Sequence, residues 1–200
     1  MVISLLSPPA CVACSKPTAP RQRLCTSCDA ALAAAVPGAS AVTTGGERVA
    51  VRWACEYSGA ARNLIHALKF KQRASAVVPI ATAMAPLVPA DVALVPVPAA
   101  PWRRRMRGLD PAEEITLALG RQTGLGVVAC LRRARGPRQV GRSRADRLAR
   151  PPRVRRVAPA PAVALLIDDV FTTGATLAAC AHALGNCCLG ALVFARALGG

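Results

Sequence analysis

The stretch LLIDDVFTTGAT, residues 165–176, decides how this chain is read. An apolar run from Val163 to Ile167 predicts a buried strand. It leads into two adjacent carboxylates, Asp168 and Asp169, and then into a hydroxyl-rich turn and a helix opened by Thr172, Thr173, Gly174, Ala175 and Thr176. A strand–turn–helix of this kind aims free backbone N–H groups and the positive end of a helix dipole at one point, which suits a phosphate. Gly174 permits close backbone approach there.

Two carboxylates beside an anion pocket need a compensating partner. At about 6 Å each repels a phosphate charge by roughly 3 kcal/mol for an effective dielectric near 20. Ribose hydroxyls that donate to the acids, together with a divalent cation, supply the compensation. The stretch resembles the phosphoribosyl-pyrophosphate (PRPP) motif of type I phosphoribosyltransferases. That resemblance implies that Asp168 and Asp169 meet the ribose hydroxyls as the catalytic pair, and that Thr172, Thr173, Gly174, Ala175 and Thr176 cradle the 5-phosphate. A Rossmann-like strand–turn–helix with a fortuitous acidic pair is the alternative.

The 200 residues suffice for one main domain and a small appendage, and the 53% apolar content can supply a core. Net charge is +16 and the isoelectric point near 11.1. Residues 103–156 hold sixteen arginines against Asp110, Glu113, Glu114 and Asp146, a local charge of +12. Such a field attracts polyanions, either a pyrophosphate group or single-stranded DNA, although a solvated face is the other reading. The apolar stretch Ile80 to Trp102 is broken by Pro86, Pro89, Asp91, Pro96, Pro98 and Pro101, which defeats a spanning helix. The start, MVISLLSPPAC, lacks a basic leader, so a cytoplasmic protein without membrane insertion is expected.

Cys11, Cys14, Cys25 and Cys28 form C-x₂-C-x₁₀-C-x₂-C, two knuckles able to place four thiolates tetrahedrally about one Zn²⁺. Two disulfides, or unrelated buried thiols, are the alternative. With every ligand position filled by cysteine and none left for water, the zinc is expected to be structural. Cys55, Cys130, Cys180, Cys187 and Cys188 have no ligand spacing and read as small buried hydrophobes.

The rest reads as α/β. Alternation of Val49, Val51, Trp53 and Cys55 predicts a strand over 48–57, and Leu64, Ile65 and Leu68 put an apolar face on a helix over 60–70. A helix is expected over 74–84 and a strand over 92–97, ended by Pro96 and Pro98. Asp110-Pro111-Ala112-Glu113 offers an N-cap, a first-position proline and a capping-box acid, so a helix should run from Pro111 to about Gln122. Further strands are expected over 127–131 and 189–195. His66 and His182 stand alone, and helix packing is the expected role of each.

The loop between that strand and helix carries Trp102-Arg103-Arg104-Arg105-Met106-Arg107, at the strand end where α/β sheets bind ligands. VPVP, an arginine-rich loop and RG-x-x-x-AE, together with the four-cysteine finger and ALKF at 67–70, are similar to the ComF family of competence-associated, phosphoribosyltransferase-like proteins. Gln139, Gly141, Ser143 and Arg147 match that family's Q-x-G-x-S-x-x-x-R segment. The chain departs from the usual RGFNQ, reading Arg107-Gly108-Leu109-Asp110-Pro111, and from an Asn after Arg147.

The resemblance implies a zinc finger over 1–35, a Pro/Gly-containing linker and a type I phosphoribosyltransferase-like parallel sheet with flanking helices over 48–200. It also implies PRPP binding with Mg²⁺, the pyrophosphate held by Mg²⁺ with Arg103, Arg104 or Arg105, and a basic lid over 132–156. It names no acceptor. The function it implies is a role in DNA uptake in natural transformation or in DNA repair, with single-stranded DNA held through residues 103–156 and a DNA-uptake helicase or other competence protein as partner. The alternative is an active phosphoribosyltransferase of nucleobase salvage.

Overall fold

The computed structural model describes residues 9–44, 46–70, 73–100, 110–134 and 152–197. A mostly parallel sheet forms its centre, with helices on both faces. The chain runs α1 (Thr26–Ala33), β1 (Gly38–Thr44), β2 (Glu47–Glu56), α2 (Gly59–Phe70) and α3 (Val77–Met84), preceded by a short 3₁₀ turn, Ala74–Ala76. It continues as β3 (Ala93–Pro96), α4 (Pro111–Thr123), β4 (Leu131–Arg133), β5 (Val154–Arg156), β6 (Ala164–Phe171), α5 (Ala175–Leu184) and β7 (Cys188–Arg196).

The sheet order is β1-β2-β7-β6-β3, with β1 antiparallel to β2 and the other neighbours parallel. β6 lies inside the sheet between β7 and β3, and its first four residues, Ala164 to Ile167, are buried, as a strand covered on both faces requires. Residues 38–44 fall in the segment expected to be a linker and instead pair with β2 along their whole length. The strand expected over 127–131 is reduced to a single parallel bridge, Leu94 with Val127, followed by β4. β4 and β5 pair with each other as a separate two-stranded ribbon.

Two apolar clusters cover the sheet. One face gathers Leu64, Ile65 and Leu68 of α2, Ile80 and Met84 of α3, and Ile115 and Leu119 of α4 against Leu165, Ile167, Leu192 and Phe194. The three α2 residues are the face expected from their spacing. The opposite face packs Leu177, Ala178, Ala181 and Leu184 of α5, with Cys130 and Leu131, against Val49, Val51, Trp53, Leu166 and Val193. Val12 of the cysteine-bearing segment belongs to the first cluster, with Leu24 and Leu32 packed at its margin, so that segment rests on α2 and α3. Among the described residues no helix is long and apolar enough to cross a membrane.

Candidate functional site

The topology itself marks a crevice. After β3 the chain passes through α4, on the face of α2 and α3, and returns along the outer edge of β3 at Val127. After β6, its direct neighbour, the chain passes through α5 on the opposite face. Connections that leave adjacent parallel strands toward opposite faces open a cleft at the strands' C-terminal ends, where sheets of this class take ligands. The last β3–β6 pair is Pro96 with Ile167, so the next residues of β6, Asp168 and Asp169, stand at the mouth of this cleft.

The two acids lie within β6 rather than after it. Alternation along a strand therefore sends them to opposite faces. Asp169 follows Leu165 and Ile167 toward α2, where Lys69 Nζ lies 2.5 Å from its Oδ2. Asp168 follows Ala164 and Leu166 toward α5, and its Oδ1 accepts the Asp169 N–H at 2.8 Å. Burial, and then the charge of Asp169, push Asp168 well above the ordinary carboxylate range, against the pull of Lys69 and the Asp169 amide. The adjacent acids are thus unlike: one is ion-paired, the other is held above the ordinary carboxylate range by burial and by its neighbour's charge.

After Phe171 the chain turns through Thr172, Thr173 and Gly174, and the helix proper begins at Ala175, three residues later than the hydroxyl-rich run suggests. Gly174 is the N-cap in the left-handed region, φ +74°. A Cβ there would come 2.5 Å from Val42 Cγ1 of β1, so only glycine fits both the dihedral and the space. The turn is therefore braced by the strand that the sequence left as a linker. Its open amides and the first turn of α5 can receive an anionic group. Trp53 and Phe171 stack at this end of the sheet, ring centroids 6.4 Å apart, and the Arg196 guanidinium lies 4.7 Å from the centre of the Trp53 ring.

On the other side of the cleft, Asp110 takes the N-cap position of α4, but its side chain does not cap the helix. Its Oδ2 accepts the Ala99 N–H at 3.3 Å, joining the two ends of the arginine-rich loop. Burial raises its pKa, with the Ala99, Glu113 and Ala112 amides acting against it. Arg103, Arg104 and Arg105 lie outside the described residues, as do Gln139, Gly141, Ser143 and Arg147. The ends of the basic segment are described and form β4 and β5, where Arg132 stands directly opposite Arg155, both exposed.

Cys11, Cys14, Cys25 and Cys28 come together. Their sulfur atoms lie within 4.8 Å of one another, and Cys14 Sγ is 3.6 Å from Cys25 Sγ. A tetrahedral zinc with Zn–S bonds of about 2.3 Å requires sulfur–sulfur separations near 3.8 Å, so the cluster fits the ion. All four are free thiols, which excludes the disulfide pairing. The first knuckle is closed by Ser15 N–H donating to Cys11 O at 2.8 Å, with Ser15 left-handed at φ +63°. The second sits on the first turn of α1, with Cys25 as its N-cap. Burial acts to raise the Cys11 thiol, but the amides of Cys25, Cys14 and Ala13 outweigh it and bring the pKa to about 6, which favours a ligating thiolate. Burial pushes the Cys28 thiol up, as four thiols without a cation should do to one another.

Of the remaining cysteines, Cys55, Cys130 and Cys180 are buried, while Cys187 and Cys188 are half-buried. Neither histidine packs into the core. His66 is exposed with its ring 4.8 Å from that of Phe70, and exposed His182 Nδ1 lies 2.8 Å from Glu47 Oε1. Both sit on the outer faces of their helices.

Three charged residues at the cleft edge escaped the sequence reading. Lys69 lies within ALKF, and Asp110 heads the capping pattern of α4. Glu56, the last residue of β2, has a buried Oε2 with no hydrogen-bond partner among the described residues, and only its terminal position on an apolar strand hints at that. No protein-family model matches the chain, and no curated protein does.

Proposed function

We propose that this chain is a PRPP-binding protein of the type I phosphoribosyltransferase kind, resembling the ComF family, and that it serves DNA uptake or DNA repair in the cytoplasm. The observation that carries the reading is the join of an acidic pair to an anion turn. Asp168 and Asp169 lie in the last half of β6 at the cleft mouth, and the left-handed Gly174 turn leads directly into α5. In this reading a ribose 5-phosphate joins the two features in one ligand, its hydroxyls on the carboxylates and its phosphate on the amides of Thr172 to Thr176.

Mg²⁺ would accompany the pyrophosphate, with Arg103, Arg104 and Arg105 on the loop that Asp110 ties back to Ala99. Transfer from PRPP passes through an oxocarbenium-like state, so positioning and charge stabilisation carry the rate and little acid–base machinery is required. An active transferase toward an unidentified base is the second reading, favoured by the integrity of the acidic turn. The test is calorimetric titration of PRPP with Mg²⁺ into wild type and Asp168→Asn/Asp169→Asn. Binding should vanish in the double variant while its fold persists, and equal affinity in both proteins would overturn the assignment.

The partner half of the reading rests on the β4–β5 ribbon. Arg132 and Arg155 face each other across it, an arrangement that destabilises an isolated ribbon and favours an anion between them. Phosphates of a single strand are suitable anions, and contacts to roughly four would give a log–log salt slope near −3. With aromatic residues at only 3%, stacking platforms are few and phosphate contacts must dominate. A flat salt response of single-stranded DNA binding, or no binding at low salt, would remove this half of the proposal.

A further inference from the structure

We propose that Lys69 is a positioning residue of the cleft: its ammonium, set on Asp169 Oδ2, holds that carboxylate as a fixed anion so that it accepts a ribose hydroxyl. The proposal rests on the PRPP reading above and gives a role to a residue outside the PRPP motif. Lys69 lies in the last turn of α2, a hundred residues away from Asp169 in the chain. Both side chains are largely withdrawn from water, at 20% and 8% exposure, so the pair is not a screened surface contact.

The ion pair leaves Asp169 with capacity to spare. Its Oδ2 makes the ion pair with the ammonium but has no partner in hydrogen-bond geometry among the described residues. A cation at the C-terminal end of α2 also complements the negative end of that helix. The other charged groups at this end of the sheet are the acids Asp168 on β6, Asp110 at the head of α4 and Glu56 at the end of β2, and Arg196 of β7, whose guanidinium lies over the Trp53 ring on the opposite face. From the packed elements, β7 contributes Leu192 and Phe194 and α4 contributes Ile115 and Leu119. Lys69 is therefore the cation that the described residues supply to Asp169. Without it, Asp169 loses the contact that fixes its carboxylate where a ribose hydroxyl would donate to it.

The test titrates PRPP with Mg²⁺ into the zinc-loaded full chain at about pH 6 and about pH 9, comparing Lys69→Met and Lys69→Arg with wild type at each pH so that the ligand's own ionisation cancels. Lys69→Met should bind at least about tenfold more weakly than wild type at both pH values. Lys69→Arg should stay near wild type at both. Unchanged affinity of Lys69→Met, or a loss in Lys69→Arg equal to that in Lys69→Met, would overturn the positioning role while leaving the PRPP reading in place. If wild type does not bind PRPP at all, both proposals fall. Should Lys69→Met not fold, Lys69→Gln takes its place, since the amide still reaches Oδ2 without a charge. A Lys69→Gln affinity equal to wild type at the lower pH would likewise reject the proposal.

Discussion

The cysteine cluster and the acidic cleft are assembled in opposite ways. The four thiols come from 18 consecutive residues and meet through two tight knuckles and one helix turn, so spacing alone specifies their geometry. The cleft draws Asp168 and Asp169 from β6, Lys69 from α2, Asp110 from the head of α4 and Val42 from β1. A local site can be built by a metal and is lost with it. A site of distant parts is held by the whole sheet, and its weak points are single contacts.

The largest effect expected is therefore at the finger. Metal binding contributes on the order of 10 kcal/mol to small zinc-dependent segments, and residues 9–34 contain too few large apolar side chains to fold unaided. Cys25→Ser should release zinc and open this segment to protease, which limited proteolysis and metal analysis would show. PRPP affinity should change little, because the acid pair stands on the central strand. Less than half an equivalent of zinc in protein purified reduced and without chelator would overturn the metal assignment. PRPP binding lost together with the metal would erase the distinction between the two sites.

A smaller effect is expected at the Gly174 turn. Gly174→Ala forces a side chain into the left-handed region and onto Val42, at roughly 1–2 kcal/mol for the dihedral and about 1–3 kcal/mol for the overlap. Urea unfolding should register the sum. Adding Val42→Ala should restore only the overlap part, and full recovery would show that the backbone conformation is not the constraint.

What the sequence disclosed follows the same division. The knuckles, the β6 strand, the α2 face of Leu64, Ile65 and Leu68 and the start of α4 at Pro111 are set by patterns a few residues long. β1 was hidden because Gly38 to Thr44 has short side chains and no apolar alternation, and it becomes a strand only by pairing with β2. Gly38 itself lies under Trp53, so tightly that a Cβ would overlap the ring, a close approach that no local rule announces. Lys69 was visible as part of a short motif, but its contact with Asp169 depends on how α2 lies across the sheet. The inequality of the two acids was equally hidden, since adjacent identical residues differ only by the face to which the pleat sends them.

That inequality gives the smallest effect and the most direct check on the cleft. Asp168 is raised in the folded state by burial and by the Asp169 charge, so ionising it works against folding. For an acid raised above its unfolded value of about 3.9, the native state binds the proton more tightly. Its contribution to stability is present below that value and is lost as pH rises toward the folded value. Asp168→Asn keeps an oxygen to accept the Asp169 N–H and cannot ionise. The variant should therefore unfold at a higher temperature than wild type near pH 8, with the difference shrinking toward pH 4, each 1 kcal/mol appearing as about 2–4 °C in a chain of this size. Asp169→Asn should behave oppositely at neutral pH, because it leaves Lys69 facing an uncharged amide in a withdrawn site. Identical melting shifts for the two variants would mean that the carboxylates are equivalent after all, and the assignment of one to the ion pair and the other to the proton would have to be given up.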